Sequence, residues 1–112
     1  MYFEKICPIE NEIWNKDHLY QYLVQSCNRN YKNQLDNFFA QYTSDEMLAE
    51  LLFGFLLDDN FDGSDCQMGA AYYIARLDRE LLRKKKALLL LAQKNEVFWK
   101  RPFQDDTYLK WL

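Results

Sequence analysis

Few residues in this chain are suited to covalent or acid–base chemistry. His18 is the single histidine, and Cys7, Cys27 and Cys66 are the only thiols. A catalytic centre needs a nucleophile or base with an orienting partner. Nothing in the spacing joins His18 to any cysteine, and the chain has no HExxH, no GxSxG and no glycine-rich phosphate loop. Acids are plentiful, but abundance is not a constellation. The reading is therefore of no catalytic residues and no enzymatic turnover, with His18 a surface or interface histidine. The three widely spaced cysteines make neither a disulfide framework nor a zinc site, since an odd count leaves one unpaired and no CxxC or Cys/His cluster is present. Reduced, mostly buried thiols are expected, and no cofactor.

One segment has the spacing of a metal site. Asp58-Asp59-Asn60-Phe61-Asp62-Gly63 reads D-x-N-x-D-G, the first half of an EF-hand calcium loop, between two predicted helices. Asp58, Asn60 and Asp62 would be ligands 1, 3 and 5. The second half fails: Gly69 stands where a bidentate Glu must close the shell, and Asp65 stands at the usually apolar eighth position. The expectation is no tightly held metal. The plain alternative is a polar loop whose Asp and Asn stabilise turns.

Charge layout is more informative. From Asn33 to Ala75 there is no Lys or Arg, but eight acids: Asp36, Asp45, Glu46, Glu50, Asp58, Asp59, Asp62 and Asp65. From Arg76 to Arg101 nine bases face three acids. The formal net charge of -3 thus hides two opposed blocks. Solvated faces with mutual salt bridging are one reading, and helix electrostatics favour acids early and bases late in a helix. The other is an acidic surface that steers and docks a basic partner. Tyr72 and Tyr73 follow the acidic loop closely, so Asp58, Asp59, Asp62 and Asp65 with Tyr72 and Tyr73 as aromatic anchors form the candidate partner-binding set. The run Arg83-Lys84-Lys85-Lys86 spreads around a helix rather than along it, and the sequence pI is about 5.1. Direct nucleic-acid binding is not expected.

The elements that must position these residues read as helices. Only three Gly and two Pro punctuate 112 residues, and apolar spacings of three and four predominate. Pro8 opens a first helical turn. Asp17 reads as an N-cap for a helix to about Asn28. A second helix covers Tyr31 to Tyr42, with Leu35, Phe38, Phe39 and Tyr42 on one face. Thr43 and Glu46 read as a capping box for a buried third helix, Ser44 to Leu57. Asp58 to Asp65 is the clearest loop, and Ser64 with Gln67 forms a second capping box. A long fourth helix from Asp65 to about Lys94 carries the stripe Ala70, Ile74, Leu77, Leu81, Leu88 and Leu91, with a kink near Lys84 and Lys85. Sustained period-two alternation is missing, which argues against a sheet. The fold class is all-α: a single compact bundle of four to five helices over 1–112, with a short irregular C-terminal tail over 95–112. The longest apolar run, Ala87 to Ala92, is far short of the ~20 residues that span a membrane, and the N-terminus lacks a signal-peptide pattern. A cytoplasmic monomer is expected.

The segment DDNFDGSDCQMGAAYYI, Asp58 to Ile74, followed by Asp78-Arg79-Glu80-Leu81-Leu82, resembles the small helical immunity proteins of bacterial contact-dependent growth inhibition systems. It covers about a quarter of the chain. The resemblance implies a cytoplasmic protein that binds the catalytic domain of a cognate toxin, often a nuclease, and blocks its basic active-site cleft. Phage-encoded inhibitors of bacterial defence, anti-CRISPR proteins included, share the profile of a small, acidic, aromatic-rich chain and are the alternative, as is another small acidic interaction module. A degenerate EF-hand-like calcium protein is the less favoured one.

Overall fold

The computed structural model describes residues 7–26, 28–58, 60 and 64–94. The expected tail over 95–112, Cys27, Asp59 and Asp62 lie outside the described residues. The described chain is mostly helical, with one small antiparallel hairpin.

That hairpin corrects the reading of Pro8 as a helix start. Strands β1 (Ile9–Glu10) and β2 (Ile13–Trp14) pair with Ile9 opposite Trp14 and Glu10 opposite Ile13. The Asn15 N–H donates to the Pro8 carbonyl at 2.7 Å and closes its open end. Asn11 and Glu12 turn the chain at φ 53° and 66°, the left-handed geometry that two-residue hairpin turns require. Asn adopts it readily, whereas Glu does so at a cost. Strands of two residues are too short to show alternation, so the sequence pattern is silent about them.

Helix α1 (Lys16–Val24) is capped by Asn15, whose side chain accepts the His18 N–H at 3.0 Å. Asp17, expected as the cap, sits instead in the first turn, where its charge suits the helix dipole. Helix α2 (Lys32–Phe39) runs into a 3₁₀ turn, Ala40–Tyr42. Helix α3 (Glu46–Leu57) starts two residues later than the Thr43–Glu46 box would place it. Asp45 is its cap: Oδ1 accepts the Leu48 N–H at 3.0 Å and Oδ2 accepts the Trp14 indole N–H at 3.1 Å. The two oxygens of a carboxylate can serve both donors at once. Thr43 contributes its carbonyl, which accepts the Asp78 N–H at 2.9 Å.

The expected long fourth helix is three helices: α4 (Asp65–Ile74), α5 (Arg79–Lys84) and α6 (Lys86–Lys94). A straight helix of that length would measure about 45 Å, more than the 38 Å longest dimension of the described structure. Breaking at Ala75–Asp78 and at Lys85 folds it back, so that Ile74, Leu77, Leu81, Leu82 and Leu89 all reach the core. The break also rotates the last stripe: Leu89 is buried, while Leu91, expected on the inner face, is 54% exposed.

The core lies between α3 and α4, with α1 also packed against α4. Leu48, Leu52, Phe53 and Leu56 of α3 meet Ala70, Ala71 and Ile74 of α4 in one buried cluster. Small residues on α4 let its neighbours approach closely. Gly69 is the extreme case: a Cβ there would lie 2.6 Å from the Leu23 carbonyl of α1. Ser64 caps α4 by accepting the Gln67 N–H at 3.1 Å, and the fully buried Gln67 amide donates to the Leu56 carbonyl at 2.8 Å. This bond ties the start of α4 to the end of α3 and fixes both ends of the acidic loop.

Candidate functional site

Helices α3 and α4 meet at the acidic loop, and the residues that frame it are held rigidly. Asp58 follows the last turn of α3, half-buried, and its Oδ1 accepts the Asn60 N–H at 2.9 Å, an Asx turn. Asp65 opens α4 and is exposed. Because α4 begins at Asp65, the loop ends well before a twelve-residue calcium loop would. Gly69, the nominal last ligand position, is buried within α4 against α1. Among the described residues no three His, Cys, Asp or Glu side chains gather as a metal-holding group.

The acids of the base-free stretch are not equally available. Asp45 is spent on the α3 cap and Trp14. Asp36 accepts the Tyr73 hydroxyl at 2.9 Å and lies 3.5 Å from that of Tyr72. Glu46 pairs with Lys84 at 3.2 Å and Glu50 with Lys85 at 3.5 Å. The two sequence blocks thus meet, α3 against the α5–α6 junction. These pairs are solvent-screened, and exposed pairs of this kind contribute little to stability. Their consequence is cancellation of charge. Asp65, by contrast, makes no ion pair among the described residues. Among the described acids of that stretch, Asp65 at the α3–α4 corner is thus the exposed one without an ion pair.

The two tyrosines do not act together as the sequence suggests. Tyr73 is 2% exposed and stacks on Phe39 with ring centroids 4.0 Å apart. It is a core residue, because α4 turns position 73 toward α2 and α3. Tyr72 is half-buried and clamped between two cations, Lys32 Nζ at 3.7 Å and Arg76 Cζ at 3.4 Å from the ring centroid. Two groups that close to one centroid must flank opposite faces. Asp65, Met68 and Tyr72 share one edge of α4 at spacings of three and four, about 10 Å from end to end. That edge is acidic at Asp65 and basic at Tyr72. Met68, 39% exposed beside Asp65, was missed by charge-led reasoning, although its position three residues on from Asp65 marks it as a neighbour. An exposed Met is an adaptable contact residue.

His18 and Cys7 are neighbours, but each is directed at a backbone carbonyl. His18 Nδ1 lies 3.2 Å from the Cys7 carbonyl oxygen, which can only accept. The Cys7 thiol donates to the Ile9 oxygen at 2.8 Å. Cys7 is exposed rather than buried as expected; Cys66 is buried. No helix among the described residues is long and apolar enough to cross a membrane. Comparison with family models, curated proteins and solved structures found no match to this chain.

Burial pushes the Cys66 thiol up to about 12 from an ordinary 9.0, with Lys16 opposing. Burial also raises Tyr73, helped by its bond to Asp36. A raised folded-state pKa contributes stability that is complete below the unfolded value and lost as pH climbs through the folded one. Urea midpoints should therefore hold up to about pH 9 and then fall, each such group costing up to about 1.4 kcal/mol per pH unit. Cys66→Ala should flatten that decline. A midpoint unchanged between pH 9 and 11 would contradict the burial of both groups.

Proposed function

We propose that this chain works by binding a protein, as an immunity protein that neutralises the catalytic domain of a toxin, with the α3–α4 corner set against a basic cleft such as that of a nuclease. The carrying observation is where negative charge remains unspent. Asp36, Asp45, Glu46 and Glu50 are engaged within the chain, whereas Asp65 is exposed and makes no ion pair among the described residues, which supports assigning the docking surface to the corner acids Asp58, Asp59, Asp62 and Asp65. The corner is also preorganised. The Gln67–Leu56 bond and the Ser64 cap hold its described ends, which lowers the ordering cost of docking. Met68 supplies an adaptable apolar contact beside Asp65. Tyr72 serves at most at the far end of the same edge, and Tyr73 acts through the core. In this reading the chain is a cytoplasmic monomer without turnover of its own, and it touches the toxin rather than the nucleic acid.

The test is co-expression with the catalytic domain of the proposed cognate toxin. The native chain should restore growth. A folded Asp58/Asp59/Asp62/Asp65→Asn variant should fail to protect, while Glu46→Gln/Glu50→Gln, which removes equally acidic but internally paired residues, should still protect. Full protection by the corner variant would place the interface elsewhere.

A further inference from the structure

Beyond the acidic corner, at the opposite end of the α3–α4 pair, the molecule holds a cavity of about 190 Å³. Its walls are mostly apolar: Phe39 from α2, Leu48 and Leu52 from α3, Tyr73 from α4 and Leu77 beyond it. Two charged side chains, Asp36 and Arg76, also line it. They are of opposite sign, yet no ion pair joins them among the described residues. Both are positioned by Tyr72. The Asp36 carboxylate lies 3.5 Å from its hydroxyl, and the Arg76 guanidinium lies 3.4 Å over its ring. Arg76 is held further by Nη1, which donates to the Tyr72 carbonyl at 2.9 Å, and Asp36 by the Tyr73 hydroxyl at 2.9 Å. Neither group is exhausted. A carboxylate has about four acceptor sites and a guanidinium five N–H donors.

An apolar chamber flanked by one fixed acceptor anion and one fixed donor cation has a definite chemical complement. We infer that this cavity binds a free α-amino acid with a medium-sized apolar side chain, of the leucine class. The ammonium group meets Asp36, the carboxylate meets Arg76 and the side chain fills the space among Phe39, Leu48, Leu52 and Leu77. The volume suits such a side chain, since an apolar cavity of ~150 Å³ already admits benzene. A purely cationic ligand would face Arg76, and a purely anionic one Asp36, so each is disfavoured by one of the two groups. This site stands apart from the corner, and its failure would leave the partner-docking proposal unaffected.

The experiment is calorimetric titration of the purified full chain with leucine, leucinamide, isopentylamine and 4-methylpentanoate, with amide chemical shifts of Thr43 and Leu77 followed in parallel. Leucine should bind and shift both resonances. Leucinamide and isopentylamine lack the carboxylate and 4-methylpentanoate lacks the ammonium, so each should bind at least tenfold more weakly. In Asp36→Asn, whose amide oxygen can still accept the Tyr73 hydroxyl, leucine affinity should fall tenfold or more while the melting temperature changes little. Equal binding of all four compounds would mean a merely apolar cavity, and binding of leucinamide as tight as leucine would remove Arg76 from the site. No binding of leucine at millimolar concentration would overturn the inference outright.

Discussion

Two identical substitutions, Gly69→Ala and Gly54→Ala, are expected to move stability in opposite directions. Both glycines sit inside helices, where Ala is intrinsically better by about 1 kcal/mol. At Gly54 a Cβ meets nothing within 4 Å, so the gain should survive at about 0.5–1 kcal/mol. At Gly69 the Cβ would lie 2.6 Å from both the Leu23 carbonyl and the Ser26 Oγ. The serine can rotate, but the carbonyl is backbone and can move only with α1. Overpacking of this kind typically costs about 1–3 kcal/mol, which outweighs the propensity gain. Gly69→Leu should prevent stable folding. Chemical denaturation of the two alanine variants decides it, and a Gly69→Ala chain as stable as Gly54→Ala would mean that α1 does not rest on α4 as described.

Asp45→Ala should be the most damaging surface-adjacent change. It removes the α3 cap, worth about 0.5–2 kcal/mol. It also strands the indole N–H of Trp14, a residue only 7% exposed, and a buried unsatisfied donor costs about 1–3 kcal/mol. Together these predict a loss of about 1.5–5 kcal/mol. Asp45→Asn separates the two roles. Its single carbonyl oxygen keeps the cap but cannot serve both donors, so it should fall between wild type and Ala. If Asn matches Ala, the cap is the minor term; if Asn matches wild type, the Trp14 bond contributes nothing.

The reading of helices from spacing succeeds where one face is buried over several turns. Leu48, Leu52 and Leu56 in α3 are such a series, and all three are at most 1% exposed. It fails where a short-range pattern is decided by a distant partner. Asp45 outcompetes Thr43 as a cap because Trp14, 31 residues away in sequence, needs an acceptor. The α4–α6 stretch looks continuous because leucines recur, but the Thr43 carbonyl takes the Asp78 N–H and the chain turns there. The hairpin at Asn11–Glu12 escapes notice because Glu is not a residue one expects at positive φ. At the candidate site, the acidic loop was legible from the run of acids without bases. The neutralisation of Glu46 and Glu50 by Lys84 and Lys85 was not, because sequence separation hides that α3 and the α5–α6 junction are neighbours. The burial of Tyr73 was equally hidden, since adjacent tyrosines on a helix point about 100° apart and only the packing of α2 decides which one is inside.

If the acidic α3–α4 corner docks a basic partner as proposed, its charge should set the rate of encounter. The measurement is the association rate of the purified chain with the catalytic domain of the proposed cognate toxin, across ionic strength. The rate should fall steeply with added salt, as steered encounters do. In the folded Asp58/Asp59/Asp62/Asp65→Asn variant the rate should be at least tenfold slower at low salt and nearly flat against salt, with Glu46→Gln/Glu50→Gln close to wild type. Equal rates and equal salt slopes for the corner variant and the native chain would contradict it.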